Sequence, residues 1–329
     1  MKISRLNRPK YAARLNAFKG NHIGSGKPTI LDMLDGAAQV GGIDAADLNF
    51  PDHFTQHSPK ELGQVLADKG MGLNGLAMRY YTDPAFAIGA FTNPDKAVRQ
   101  AAIDLTKQGI DAAAEMGSSL MTLWMGQDGF DYAFQADYRA MWDATIAAMA
   151  EVADHNPDVD IAIEYKPNEP RAYALMPDIG TTLLATKELG RDNVGVTLDF
   201  AHVLYADEMP AHAAHLVARH SRLLGVHLND GYGKRDDGLM VGTVHPVATV
   251  ELFHELSRIG YDGVIYFDTF PDHSGLNPVE EARTNLALVE RLRAIAETLA
   301  GNADLDAAIA RQDATQSQRI LAKALYGAE

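Results

Sequence analysis

The chain has 329 residues, with 29 Lys and Arg against 44 Asp and Glu, so its formal net charge is −15. This negative charge repels phosphate backbones and anionic lipid, which argues against nucleic acid and membranes as partners. Cysteine is absent, which excludes disulfides and thiolate ligands, so a bound metal must take oxygen and imidazole ligands.

The N-terminal residues 1–10 are basic and polar and lack the apolar core of a signal peptide. No apolar run approaches the length of about 18 residues that a membrane-spanning helix needs. We therefore expect a soluble, cytoplasmic protein.

Short apolar segments bounded by Gly, Asp or Pro recur along the chain, with segments of helical period between them. This alternation is typical of βα units around a parallel sheet. The predicted strands are residues 14–18, 46–50, 72–76, 119–124, 160–164, 194–198, 223–227 and 264–268. Eight such units can close without an exposed edge, so the predicted fold class is α/β, a (β/α)8 TIM barrel.

Helical segments follow several of these strands. In residues 94–116, 136–154 and 247–259 the apolar side chains return every three to four positions, which predicts outer helices. A capping side chain stands beside a proline in Thr92-Asn93-Pro94 and in Asn277-Pro278, and both are helix-start signals.

After about residue 300 the sequence becomes an amphipathic stretch rich in Ala, Asp and Gln. We therefore predict a catalytic barrel of residues 1–299 and a C-terminal helical arm of residues 300–329. The arm would pack on the barrel or on a neighbouring subunit. Together with the alanine-rich outer helices it leads us to expect a homodimer or homotetramer.

The last four predicted strands end in polar side chains. These are Glu164, Asp199, His227 and Asp268. Because the carboxyl ends of barrel strands meet at one mouth, the four side chains should lie together. Crowded carboxylates repel one another, and a divalent cation removes that repulsion. The set predicts a site for Mg²⁺, Mn²⁺ or Co²⁺ rather than structural zinc. Any one of the four, taken alone, is equally well explained as a helix cap or a solvated loop residue.

Three further residues are candidates for the reaction. Lys166 shares a strand face with Glu164, so its ammonium could hydrogen-bond a substrate oxygen that becomes negative, or pair with a metal-site carboxylate. Trp124 closes the fourth strand as an apolar wall for a sugar ring, or as barrel core. His53 follows the second strand and could assist ring opening, or lie in a surface loop.

A second metal could lie beside the first, giving one or two ions per subunit. His202 stands three residues after Asp199, and Asp236 and Asp237 lie in the Gly-rich loop after His227. An Asp-Asp-Gly run is more typical of a solvated turn, so this pattern is the weaker of the two.

Several segments resemble the xylose isomerase family. Residues 164–171, Glu-Tyr-Lys-Pro-Asn-Glu-Pro-Arg, resemble its Glu-x-Lys-Pro-Asn-Glu-Pro-Arg segment. Residues 91–93, 123–129 and 226–230 fall in the same order and also resemble bacterial L-rhamnose isomerases. The step Asp199-Phe-Ala-His202 is most similar to the rhamnose isomerase type.

This resemblance implies two divalent metals and a hydride shift between C1 and C2 of an open-chain sugar. The first metal would be held by Glu164, Asp199, His227 and Asp268. His202 and Asp236 would hold the second, mobile metal. Lys166 would polarise the carbonyl, and Trp124 would screen the hydride path from water. Glu164 and Asp268 would also contact the sugar.

Two departures from the family pattern matter. Where the family has Asp-x-Asp-Leu, this chain reads Asp236-Asp237-Gly238-Leu239, so Asp237 substitutes as a ligand or the second metal is held loosely. Pro51 stands near the place of the family's ring-opening histidine, and His53 is displaced from it.

The sequence thus predicts a metal-dependent aldose–ketose isomerase acting on a free monosaccharide. Phosphorylated sugars are disfavoured because no Gly-rich anion nest follows the last strands. The nearest alternative is a ketose 3-epimerase on the same barrel. Epimerisation needs a longer carboxylate side chain at the end of the eighth strand than that of Asp268, and Lys166 would have no evident role in it. A metal-dependent endonuclease would need a basic rim, which the net charge opposes. A non-catalytic sugar-binding protein is the fourth alternative.

Overall fold

The computed structural model describes residues 10–21 and 27–327, and in this part of the chain eight parallel strands form a closed barrel. Each strand pairs with its neighbours in the chain, and the eighth pairs with the first. The strands are β1 (Tyr11–Arg14), β2 (Ala45–Phe50), β3 (Gly72–Met78), β4 (Leu120–Leu123), β5 (Asp160–Glu164), β6 (Val194–Asp199), β7 (Leu223–Leu228) and β8 (Ile265–Phe267). The predicted (β/α)8 barrel is confirmed.

Helices surround the barrel and bury their apolar faces against it. They are α1 (Ile30–Val40), α2 (Pro59–Asp68), α3 (Lys96–Glu115), α4 (Tyr138–His155), α5 (Ile179–Leu189), α6 (Phe200–Tyr205), α7 (Pro210–His220), α8 (Pro246–Ile259), α9 (Pro271–Ser274), α10 (Pro278–Leu299), α11 (Ala303–Ala310) and α12 (Ala314–Tyr326). Short 3-10 helices cover Leu15–Asn21, Asp52–Phe54, Tyr80–Thr82 and Pro84–Phe86. Among the described helices, none is long and apolar enough to cross a membrane.

The first strand was predicted in the wrong place. Residues 14–18 were expected to form it, but β1 ends at Arg14 and the following residues belong to the 3-10 helix Leu15–Asn21. Apolar burial continues from Tyr11 through Phe18, because strand and 3-10 helix both face the core. A continuous apolar run therefore does not mark where the strand ends.

The two helix-start predictions had different outcomes. Asn277 caps α10, and its side chain accepts hydrogen bonds from the amides of Val279 and Glu280. The cap of α3 is instead Asp95, which accepts a hydrogen bond from the Ala97 amide at 2.8 Å.

The chain after the barrel forms α11 and α12. Ile320 and Leu321 of α12 pack half-buried against the hydrophobic core, and α12 contacts α10. No side chain of α12 is fully buried. The division at residue 300 and the assembly of subunits stay predictions.

Candidate metal centre

The carboxyl ends of β5 to β8 bring four polar side chains together. Glu164 and Asp199 end β5 and β6, His227 pairs with Asp199 across the sheet, and Asp268 follows β8. Each of the four offers a ligand atom, and these atoms all lie within 4.8 Å of one another. We call this set the four-residue cluster, and it contains all four residues that the sequence predicted as first-metal ligands.

The cluster has the chemistry of a divalent-metal site. His227 Nδ1 and Asp268 Oδ1 are buried and have no hydrogen-bond partner among the described residues. Glu164 Oε1 is 3.5 Å from His227 Nδ1, and Asp199 is almost completely buried. Buried polar atoms normally find a partner, and three carboxylates with one imidazole suit a hard divalent cation. The residues therefore fit a bound metal ion.

The protonation of the cluster is governed by burial and mutual repulsion. Burial raises the pKa of Asp199 to about 7 and also raises the pKa of Asp268. Burial alone would lower the pKa of His227, but the charge of Glu164 and other carboxylates raises it to about 9. The cluster therefore holds protons when no cation balances its negative charge.

Asn229 holds the cluster in place, and the sequence reasoning missed it. Its side-chain amide donates to both carboxylate oxygens of Asp199 and to the Asp268 carbonyl, each at 3.2 Å. Its Oδ1 accepts from the Ala201 amide at 2.8 Å. The signal was present, because Asn229 stands two residues after His227 and alternate residues of a strand share a face.

A second group of polar residues adjoins the cluster. Asp236 Oδ2 lies 3.2 Å from His202 Nε2 and 3.2 Å from Lys166 Nζ. His202 Nδ1 is 3.5 Å from Glu164 Oε1, and Lys166 also pairs with Glu169 at 2.8 Å. Burial alone would lower the pKa of Lys166, but Asp236 and Glu169 outweigh it and raise that pKa. Lys166 is therefore a charged donor at the edge of the cluster.

Asp237 does not join this second group. Its two oxygens accept hydrogen bonds from the Tyr232 amide and from Arg235 Nε, both at 2.8 Å. The next position, Gly238, has φ +57°, and a Cβ there would lie 2.3 Å from the ring of Phe270. No side chain fits at Gly238, and the predicted substitute Asp237 makes contacts within its own loop instead.

Trp124 forms one wall of the mouth. Its ring centre is 5.3 Å from Lys166 Nζ and 5.3 Å from the ring centre of Tyr81. A cleft runs between Trp124, Glu164 and Lys166 and continues to Met176. This contact with the cleft supports the predicted wall rather than a position in the barrel core.

His53 is buried and neutral. Its Nδ1 accepts a hydrogen bond from the Asn49 amide at 3.0 Å, and its Nε2 lies 3.2 Å from Asn16 Oδ1. Burial, followed by the positive charge of Arg79, lowers its pKa to about 3. With Nδ1 occupied, His53 offers a donor at Nε2 and no free lone pair. Its part in ring opening stays a prediction.

Arg14 is a second residue of the mouth that the sequence reasoning missed. Its Nε lies 3.5 Å from Asp268 Oδ1, its Nη1 lies 3.4 Å from Asp272 Oδ1, and its guanidinium covers the ring of Phe270 at 4.6 Å. Arg14 ends β1 as Glu164 ends β5. The predicted first strand began at Arg14, whereas β1 ends there, so the sequence did not indicate that Arg14 lies at the mouth.

Asp128 joins two loops at the rim of the barrel through hydrogen bonds. It lies after β4, is 1% exposed, and accepts hydrogen bonds from the backbone amides of Ala90 and Thr92 at 3.1 and 2.7 Å. The Thr92 hydroxyl donates to the same carboxylate at 2.8 Å. The loop after β3 is therefore fixed to the loop after β4.

These features define a (β/α)8-barrel protein with a candidate divalent-metal site at the carboxyl ends of its strands. The chain belongs to the xylose isomerase-like TIM barrel family, which it matches over residues 34–293.

Known proteins resemble the chain in sequence and in fold. The xylose isomerase of Thermus thermophilus is 30% identical over 246 residues, which are 71% of this chain and 64% of that protein. The matched part thus spans less than two thirds of that relative. The solved structure of a D-tagatose 3-epimerase-like protein has a TM-score of 0.67 and 18% identity and covers 85% of this chain and 98% of that one. The IOLI protein with a bound zinc atom has a TM-score of 0.66 and 15% identity, with 87% and 98% covered. At these identities the two structures share the fold.

Proposed function

We propose that this protein is a divalent-metal-dependent enzyme that interconverts an aldose and a ketose by a hydride shift between C1 and C2 of an open-chain sugar. The observation that carries the proposal is the position of Lys166 beside the four-residue cluster. Its ammonium lies 3.2 Å from Asp236 and faces the ring of Trp124 in the same cleft. The sequence relationship to a xylose isomerase supports it.

The residues of the mouth would have different roles in this reaction. A bound Mn²⁺, Mg²⁺ or Co²⁺ ion would polarise the sugar oxygens at the reacting carbons. Lys166 would donate a hydrogen bond to the carbonyl oxygen as it becomes negative. Trp124 would exclude water from the reacting carbons, which favours transfer of a hydride within the sugar over exchange of a proton with solvent. Glu164 and Asp268 would orient the sugar hydroxyls.

The test is a screen of pentoses, hexoses and deoxyhexoses with added Mn²⁺ in deuterated water. We expect conversion between an aldose and its ketose with little deuterium at carbon. Failure to convert any of these sugars, or substantial deuterium at C1 or C2, would contradict the proposal.

The Lys166→Met variant tests the residue on which the proposal depends. We expect kcat to fall by about 100-fold or more, because a preorganised donor to a developing oxyanion contributes about that much. Bound Mn²⁺, measured by calorimetry, should change little. Lys107→Met is the matched control, since Lys107 pairs with Glu151 on the outer helices. Equal kcat values for the two variants would remove Lys166 from the mechanism.

A ketose 3-epimerase is the second candidate function. Two carboxylates of one site, the buried Glu164 and the partly buried Asp268, favour it, because epimerisation moves a proton from one face of a carbon to the other. In deuterated water such an enzyme would place deuterium at C3 of a ketose and would leave aldoses unchanged. The same experiment therefore separates the two functions.

A further inference from the structure

Acidic and basic side chains occupy the ends of different strands at the mouth of the barrel. The four-residue cluster lies at the ends of β5 to β8, whereas the ends of β1 and β3 carry Arg14 and Arg79. Two arginines at one mouth stand out in a chain with a net charge of −15. Arg14 is balanced by Asp268 and Asp272.

Arg79 has no such partner in the described part of the chain. Its Nη1 donates to the Tyr81 hydroxyl at 2.7 Å, and its guanidinium carbon lies 5.3 Å from the centre of that ring. Within residues 10–21 and 27–327 it forms no ion pair, and its Nε is buried without a hydrogen-bond partner. Arg79 is half-buried, so the rest of its guanidinium carries a positive charge that no carboxylate of the described residues neutralises and that an anionic ligand would neutralise.

Arg79 faces the same mouth as the four-residue cluster. The ring of Tyr81, to which it donates, contacts the ring of Trp124 at 5.3 Å, and Trp124 in turn faces Lys166. Arg79 is therefore connected to Lys166 through the rings of Tyr81 and Trp124.

We propose that the substrate carries an anionic group at the end remote from its reacting carbons and that Arg79 binds this group. The inference rests on the proposed function, because it takes C1 and C2 to lie at the metal centre. A neutral sugar ends in a hydroxyl, which accepts a hydrogen bond but leaves the charge of Arg79 uncompensated. A carboxylate matches the planar guanidinium with two parallel hydrogen bonds. A uronate, whose carboxylate is planar like the guanidinium, is therefore the expected class of substrate, and a sugar phosphate is the alternative that the test separates from it.

The test compares sugars that differ only at this end. The Mn²⁺-loaded full chain is assayed with a panel of neutral aldoses, the matching uronates and the matching 6-phosphates. We expect kcat/KM for one uronate to exceed that of its neutral aldose by about tenfold or more, since a charge-assisted hydrogen bond contributes about 1.5–3 kcal/mol. Neutral aldoses converted as well as their uronates would overturn the inference and leave the proposed function standing. Preference for a 6-phosphate would overturn the assignment of a carboxylate.

Substitution of Arg79 separates anion binding from isomerisation. Arg79→Gln should raise KM for the uronate by about 10- to 100-fold and should raise KM for the neutral aldose much less. Arg258→Gln is the matched control, because Arg258 is exposed and pairs with Glu255 in its own helix. Equal effects on the uronate and on the neutral aldose would contradict the role of Arg79.

Direct binding separates this inference from the proposed function. If no sugar is isomerised, calorimetry of the uronates with the Mn²⁺-loaded protein still tests it. Uronate binding that Arg79→Gln weakens supports the inference although the proposed reaction has failed. Uronates that bind no better than neutral aldoses overturn it.

Discussion

At the scale of single residues, the mouth combines charges that neutralise one another with charges that do not. Lys166, Asp236 and His202 share hydrogen bonds, so removing one of them leaves the others buried and unbalanced. Arg79 forms no comparable ion pair in the described ranges. Buried charges that pair with one another maintain the geometry of a site. A charge without an ion pair, such as that of Arg79, is available to a ligand.

His53 gives a prediction about acid stability. Its pKa is about 3 in the folded protein and 6.5 as the ordinary value, so neutral His53 contributes stability above pH 6.5 that is lost as the pH falls toward 3. At pH 4.5 this loss is about 3 kcal/mol, since each pH unit is worth about 1.4 kcal/mol. The free energy of unfolding should therefore fall more steeply between pH 7 and 4.5 in the wild type than in His53→Gln.

Urea denaturation at several pH values measures this difference. His220→Gln is the matched control, because His220 is exposed at the end of α7. Parallel stability curves for the wild type and His53→Gln would show that burial does not hold His53 neutral.

At the scale of secondary structure, the strands that end in polar side chains were the most predictable. β5 has the predicted bounds, 160–164, because an apolar run ends at once in Glu164. Since the barrel fixes where such ends meet, the four candidate ligands could be predicted from four local patterns. β1 was misplaced because its apolar run continues into a second buried element, and this error concealed Arg14.

Contacts between distant loops could not be predicted from local patterns. The pairing of Gly129–Phe130 with Tyr173–Ala174 joins the loops after β4 and β5. Each of these strands has only two residues, which is too short to show an alternation of apolar and polar side chains. Asp237 was likewise predicted as a possible ligand, and its hydrogen bonds to Tyr232 and Arg235 could not be read from the sequence.

This small sheet gives a prediction for Gly129. A Cβ at that position would lie 2.0 Å from the Tyr173 carbonyl oxygen, so Gly129→Ala must separate the two strands. We expect a loss of about 1–3 kcal/mol in the free energy of unfolding, as for other overpacked sites. KM should also rise, because the displaced strand follows the segment that carries Lys166.

Gly63→Ala is the matched control. Gly63 lies inside α2, and its nearest neighbour to a new Cβ is Met116 Cγ at 4.0 Å. There alanine should stabilise the helix by up to about 1 kcal/mol. Equal denaturation midpoints for the two variants would contradict the crowding at Gly129.

At the scale of the whole molecule, metal binding should stabilise the barrel. The four-residue cluster joins β5 to β8 across the mouth, so a cation there balances repulsion among carboxylates from three of these strands. At 100 times its dissociation constant, Mn²⁺ adds about 2.7 kcal/mol. We expect chelation to lower Tm by about 5 °C or more and added Mn²⁺ to restore it.

Two variants control for unspecific effects of the chelator. Asp268→Asn should abolish the Mn²⁺-dependent rise in Tm, whereas Asp154→Asn, which alters an exposed pair with Arg191, should preserve it. A wild-type protein that melts at one temperature with and without Mn²⁺ would exclude the site.

The buried carboxylate of Asp128 has a consequence for how this mouth can change in evolution. The amides of Ala90 and Thr92 donate hydrogen bonds to Asp128. Replacing one rim loop alone would therefore leave either the buried carboxylate or the buried amides without a hydrogen-bond partner. The loops after β3 and β4 therefore form one hydrogen-bonded unit. A chimera that takes its rim loops from a relative must transplant both loops as one piece.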